Sequence, residues 1–215
     1  MCFSAGASFG ASAILTVAGV AVLKQVKSPR QIPFASIPLI FAVQQFSEGF
    51  VWLALSNTAF APLEKVATYT FLLFAQIVWP LCVPIAIAML EKDAKRKAIL
   101  TIFVGIGALV SAYFAHRLCV YGAQANIALH HVAYKQVYPD SWNHVADMLY
   151  GIATIGPTFL SKLKRMWVFG LAVTISYMIT YVCFVNYILS VWCFFAAIIS
   201  VLIYTIVQGT SNQKS

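Results

Sequence analysis

The 215-residue sequence predicts an all-α, polytopic integral membrane bundle of seven transmembrane helices, with its N-terminus outside and its C-terminus inside. Three observations predict it. Hydrophobic residues make up 61% of the chain and charged ones only 9%, against about 25% charged in a soluble domain. Seven apolar runs, at 5–23, 33–56, 67–90, 98–118, 145–161, 167–186 and 187–207, approach the ~20 residues that a bilayer core demands of a helix. The cations between them fall in alternate loops. Such a composition excludes a soluble enzyme, a disordered chain, a disulfide-rich secreted domain and a free nucleic-acid binder, so the net charge of +8 implies no nucleic-acid partner.

The first run has no cation before it, and Lys24, Lys27 and Arg30 follow it. That order fits an uncleaved helix entering from outside better than a signal peptide. Ser4, Ser8 and Ser12 recur every fourth residue, and Gly6 and Gly10 make a GxxxG on the neighbouring face. Small residues at that spacing let helices approach closely in lipid, so this helix is the candidate contact for a membrane-protein partner. The second run contains Pro38 and, deeper, Gln44, Gln45 and Glu48. The third holds Pro80 and Pro84, and the fifth Pro157. Each proline removes a backbone donor, and the freed carbonyl must find a partner inside the protein.

The fourth run ends at His116 and Arg117 and leads into a long loop, 119–144, that carries His130 and His131. The short fifth run starts beside His144, and a polar stripe of Asp147, Gly151, Thr154, Thr158 and Ser161 follows at helical spacing. From 167 to 207 the chain is apolar for 41 residues, about twice what one helix needs, so a turn is expected near Asn186. No internal repeat or linker divides the chain, and a single domain spanning 1–215 is expected.

Lys24, Lys27, Arg30, Lys92, Lys95, Arg96, Lys97, Lys162, Lys164, Arg165 and Lys214 fall on one side of this arrangement, and only Lys65, Arg117 and Lys135 on the other. The positive-inside rule makes the first side cytoplasmic. Under that topology Glu48, Asp147 and all four histidines lie towards the outer face. An ionisable group inside a span is costly and normally faces the bundle interior, a water cavity or a partner. Gln44 and Glu48, at i and i+4, share a helix face, with Gln45 and Trp52 flanking it. His144 and Asp147, one turn apart, place a carboxylate where it can orient an imidazole. Cys82, Cys183 and Cys193 lie within apolar runs, whereas Cys2 and Cys119 both fall outside, where a bridge between them is open.

The opening Met-Cys-Phe-Ser-Ala and the stretch Gln44, Gln45, Glu48, Gly49, Trp52 resemble a family of small, uncharacterised bacterial multi-pass membrane proteins. The resemblance extends along most of the chain and implies a bacterial inner (cytoplasmic) membrane setting without an assigned chemistry. Seven helices with an outward N-terminus are also the plan of the alkaline ceramidase and adiponectin-receptor superfamily, which holds zinc partly through HxxxH in its last helix. The seventh run here has no histidine, which argues against a match.

Three functions are compatible with this pattern. The first is an outward-facing His/carboxylate site for a metal ion, haem or small polar ligand. In it Gln44, Gln45, Glu48 and Arg117 are candidate ligand contacts, and His116, His130, His131, His144 and Asp147 candidate metal ligands, with zinc or haem as candidate cofactors. The second is a metal-dependent lipid hydrolase using metal-bound water, with Glu48 or Asp147 as base. The third is a structural or accessory subunit of a membrane complex, with the bilayer and a neighbouring protein as partners.

Overall fold

The computed structural model describes residues 4–128, 131–137, 143–183, 187–200 and 202–212. Helix α1 (Ala5–Leu23) begins at Ser4, whose hydroxyl accepts the Ala7 N–H at 3.2 Å. It packs along α3 (Ile37–Ser56), its most extensive neighbour. Small residues allow that approach. The buried stripe of α1 includes Ser8, Ser12, Leu15, Gly19 and Val22, and the Ser12 hydroxyl donates to the Ala42 carbonyl at 2.8 Å. Phe9 lies over Gly49, and Leu39 over Gly19. The serine stripe is therefore consumed within the chain, while Gly6 and Gly10 on the neighbouring face stay exposed.

Between α1 and α3 lie a 3-10 turn (Pro29–Gln31) and the short α2 (Ile32–Ala35); the break at Ser36 comes two residues before Pro38. After α3 a 3-10 segment (Thr58–Leu63) leads to α4 (Glu64–Leu72), a π-helical stretch (Leu73–Val78) and α5 (Trp79–Leu90). The π stretch explains how the chain accommodates Pro80. In π geometry a carbonyl bonds the N–H five residues on, as Phe74 does with Trp79, so the Ala75 carbonyl would need the N–H that Pro80 lacks. The Tyr150 hydroxyl donates to that carbonyl instead, at 2.7 Å, and Ser111 donates to the Ile77 carbonyl at 2.7 Å. The Pro80 carbonyl in turn faces Pro84, which has no N–H to offer. It lies against Gly107 of α6 (Ala94–Tyr121), where a Cβ would fall 1.9 Å from its oxygen.

Gly122, with φ of 70°, turns the chain out of α6 in a conformation that a side chain would strain. A two-stranded antiparallel hairpin follows, β1 (Gln124–Ala128) with β2 (His131–Lys135), an element the loop 119–144 was not expected to form. Ala125 and Val132 join Ala5, Val51, Trp52 and Ala67 in one cluster, and Tyr134 stacks on Phe71 with ring centroids 4.7 Å apart. Gln136 and Gln76 exchange amide hydrogen bonds at 3.1 and 3.2 Å, tying the hairpin to the π stretch. The hairpin thus covers the end of the bundle at which α1 begins.

Helices α7 (Asn143–Leu160), α8 (Met166–Cys183), α9 (Ile188–Ile199) and α10 (Leu202–Asn212) complete the chain. The turn expected near Asn186 falls between α8 and α9, on residues outside those described. The seventh apolar run differs from expectation: it is interrupted at Ser200, whose hydroxyl bonds the Ala197 carbonyl. Five helical stretches among the described residues are long and apolar enough to cross a membrane: Ala5–Leu23, Pro29–Ser56, Thr58–Leu90, Ala94–Tyr121 and Met166–Cys183.

At the end opposite the hairpin the basic loops meet. Buried Glu91 accepts the N–H groups of Lys92, Asp93 and Lys162 at 3.0, 3.2 and 3.2 Å and the Ser161 hydroxyl at 3.3 Å. Arg96 donates to the Leu160 carbonyl at 2.5 Å. The Lys162–Asp93 pair, at 3.9 Å with both side chains well exposed, adds little. Helix α10 packs on α1 and α2.

Candidate functional site

The polar residues of α3 are fully buried: Gln44, Gln45 and Glu48 each have 0% of their surface exposed. Gln44 accepts the Trp79 indole N–H at 2.7 Å, and Trp79 stacks on Phe41 with ring centroids 3.9 Å apart. An indole nitrogen can only donate, so this bond fixes which end of the amide is oxygen. The Gln44 NH2 is turned to the other side; the amide lies against the Cys193 thiol and Nε2 finds no acceptor among the described residues. Glu48 accepts a short hydrogen bond, 2.5 Å, from the hydroxyl of Ser190 on α9. Gln45 has no hydrogen-bond partner on either amide atom among the described residues, and neither does the Trp52 indole nitrogen. Gln45, Glu48 and Trp52 follow one another at i, i+3 and i+7 and form one stripe. Two more buried hydroxyls without partners, Ser8 and Thr68, belong to α1 and α4, both packed against α3.

The described histidines belong to other elements. His116 on α6 and His144 and Asp147 on α7 are exposed. Arg117 is buried, its guanidinium 5.3 and 5.2 Å from the ring centroids of Tyr113 and Phe114. Asp147 lies within electrostatic reach of Arg117 and His144. His131 is buried in β2 and stacks on Tyr187 with centroids 4.7 Å apart. His130 and Cys2 fall outside the described residues. Among the described residues no three His, Cys, Asp or Glu side chains are placed to share a metal ion. The structure therefore gathers Gln44, Gln45 and Glu48 in the interior and brings Arg117, His144 and Asp147 near one another, as two separate groups.

The sequence reading missed Ser190, Trp79, Trp192 and Cys193. Ser190 was visible as a lone hydroxyl in an apolar run, but nothing in the sequence pairs it with a residue 142 positions away. One turn along α9 from Ser190, Cys193 and Trp192 line a cavity together with Phe41, Trp79, Tyr150 and Phe169. The wall is almost entirely apolar, and the cavity volume is about 50 Å³.

The chain is helix-rich, with five helical stretches among the described residues long and apolar enough to cross a membrane and with carboxylate, amide and indole groups folded inwards, which is the build of a helical membrane protein. It belongs to a family of unknown function, DUF6629, whose family model matches residues 1–215. No curated protein and no solved structure matches it significantly.

Proposed function

We propose that this chain is a seven-span protein of a bacterial cytoplasmic membrane, N-terminus outside, that binds a small polar ligand within the bundle through Gln45, Glu48 and Trp52, with Arg117, His144 and Asp147 as a second polar group towards the outer face. One observation carries the reading: Gln45 is fully buried with both amide atoms unpartnered among the described residues. Burying such a group without a partner costs about 1–3 kcal/mol, and a ligand offering both a donor and an acceptor removes that cost. The neighbouring Trp52 N–H offers a further donor, and the Glu48–Ser190 bond closes α9 against α3. Supporting the topology, Ala5 packs with the hairpin cluster while α10 packs on α2 near the basic loops, as an odd number of crossings requires.

Metal or haem ligation by His116, His130, His131, His144 and Asp147, and the lipid hydrolysis it would serve, requires at least three of these side chains to gather about one ion, which those among the described residues do not; the α3 stripe needs no such movement. The accessory-subunit reading keeps one support, the exposed Gly6/Gly10 face of α1.

Native mass spectrometry of the protein released from bacterial membranes tests the proposal. Wild type is expected to carry a bound small molecule that Gln45→Leu lacks, with Gln45→Leu the less stable protein before the ligand is dialysed away. A ligand-free wild type accompanied by a more stable Gln45→Leu would refute it, since leucine then merely removes an unpaired amide.

A further inference from the structure

The cavity between α3, α5, α7, α8 and α9 is distinct from the Gln45–Glu48–Trp52 stripe, and its hydrogen-bond accounting points to a different ligand. Three polar groups of its wall are already committed. Trp79 donates to Gln44 at 2.7 Å, Tyr150 to the Ala75 carbonyl at 2.7 Å, and Thr154 to the Tyr150 carbonyl at 2.8 Å. The Trp192 indole N–H remains buried and has no acceptor among the described residues. The Gln44 NH2, fixed in orientation by Trp79, lies behind the wall and has beside it only the thiol of the wall residue Cys193, a weak acceptor. Both unfulfilled groups donate. An amide nitrogen and an indole nitrogen cannot satisfy each other, so the missing partner is an acceptor.

The rest of the wall is aromatic and aliphatic, with Phe41 and Phe169 among its rings. A volume of about 50 Å³ holds roughly three to five water-sized groups, at ~10–15 Å³ each. We propose that this cavity binds a neutral, largely apolar carbonyl compound, its oxygen accepting from Trp192 and Gln44 and its carbon body of a few atoms packed among the rings. Pockets of this kind, apolar with a few convergent polar groups, are the usual form of small-molecule sites.

The chain has five tryptophans, so 15N-indole labelling of the full-length protein in detergent gives five N–H signals, and Trp192→Phe identifies the one at issue. The probes are 2-butanone and 2-methyl-1-butene, nearly identical in shape, of which only the ketone has an acceptor. The Trp192 signal is expected to move downfield saturably with butanone, and the alkene to require about tenfold more for half-saturation of any shift. Gln44→Leu should weaken butanone about tenfold while leaving the alkene where it was. A Trp192 signal that stays still, drifts linearly without saturating, or responds equally to both probes overturns the proposal. Should Gln44→Leu not fold, the comparison of the two probes on wild type decides alone. The readout is Trp192, so it fails or succeeds independently of any ligand lost on changing Gln45.

Discussion

Replacing Gly107 by alanine adds one methyl group where α6 crosses α5. The new Cβ would lie 1.9 Å from the Pro80 carbonyl oxygen, 2.8 Å from its carbon and 3.4 Å from Pro84 Cγ. Ordinary contact begins near 3.4 Å, so the two helices would have to separate by about 1.5 Å (3.4 less 1.9). The obstructing atom is backbone, so no rotamer change relieves it. The segment that must yield is also the one whose hydrogen bonds are already rerouted through Tyr150 and Ser111. Overpacking typically costs 1–3 kcal/mol, and the upper end of about 3 applies. Alanine returns about 1 kcal/mol of helix propensity, leaving a net loss of about 2 kcal/mol. Gly105 is the internal control: it is on the same helix, exposed, with nothing within 4 Å of an added Cβ. Gly105→Ala should be neutral or gain up to about 1 kcal/mol. Reversible unfolding in mixed micelles should therefore separate the two variants by about 2–3 kcal/mol. Coincident midpoints would refute the account of the α5–α6 crossing.

Three further outcomes are expected. Glu91→Ala removes an acceptor of four hydrogen bonds, two within residues 91–93 and two from Ser161 and Lys162, and should cost about 2–3 kcal/mol; faster proteolysis at 161–165 would report the released loop, and unchanged proteolysis would count against the joint. Tyr150→Phe leaves the Ala75 carbonyl without the donor that replaces the Pro80 N–H and should cost about 1–2 kcal/mol in the same unfolding assay, whereas Tyr113→Phe serves as a comparison outside the π stretch. Asp93 caps α6, and the Arg96 N–H, then the Lys95 N–H and the Lys162 charge, hold its carboxyl below the ordinary aspartate range against partial desolvation. A depressed folded-state pKa means that its stabilisation is complete above the unfolded value and lost as pH falls through the folded one. The stability gap between wild type and Asp93→Ala should thus be constant at neutral pH and narrow below about pH 4.

Composition and hydropathy were sufficient to read the helical class, the presence of lipid-length apolar helices and the α1, α3 and α6 segments nearly to their ends, because a long apolar run in a nearly uncharged chain has few alternatives. They could not show the interruption at Ser200, which leaves hydropathy almost unchanged. The hairpin was hidden for another reason: Gln124–Ala128 is short and poor in β-branched residues, and its pairing is stabilised by Phe71, Trp52 and Ala67 from elsewhere in the chain. The expectation that proline-freed carbonyls would need partners was met at Ala75, but its donor, Tyr150, lies 75 residues away. Gln44, Gln45 and Glu48 stood out as polar residues in an apolar run. That Gln45 is unpartnered while Gln44 is held by Trp79 depends on tertiary contacts that no local pattern contains.

The π-helical stretch has a consequence for how this chain can change over generations. A π turn holds one residue more than an α turn, so Leu73–Val78 acts as a single-residue insertion stored inside a helix. Removing any one of those residues would leave length, hydropathy and composition almost untouched, yet rotate everything after it by about 100° relative to everything before it. Trp79 would swing away from Gln44, and Val83 and Pro84 would leave the surfaces they now complete. Substitutions along this helix can be tried by evolution one side chain at a time, whereas a deletion there would recast the whole inner wall at once.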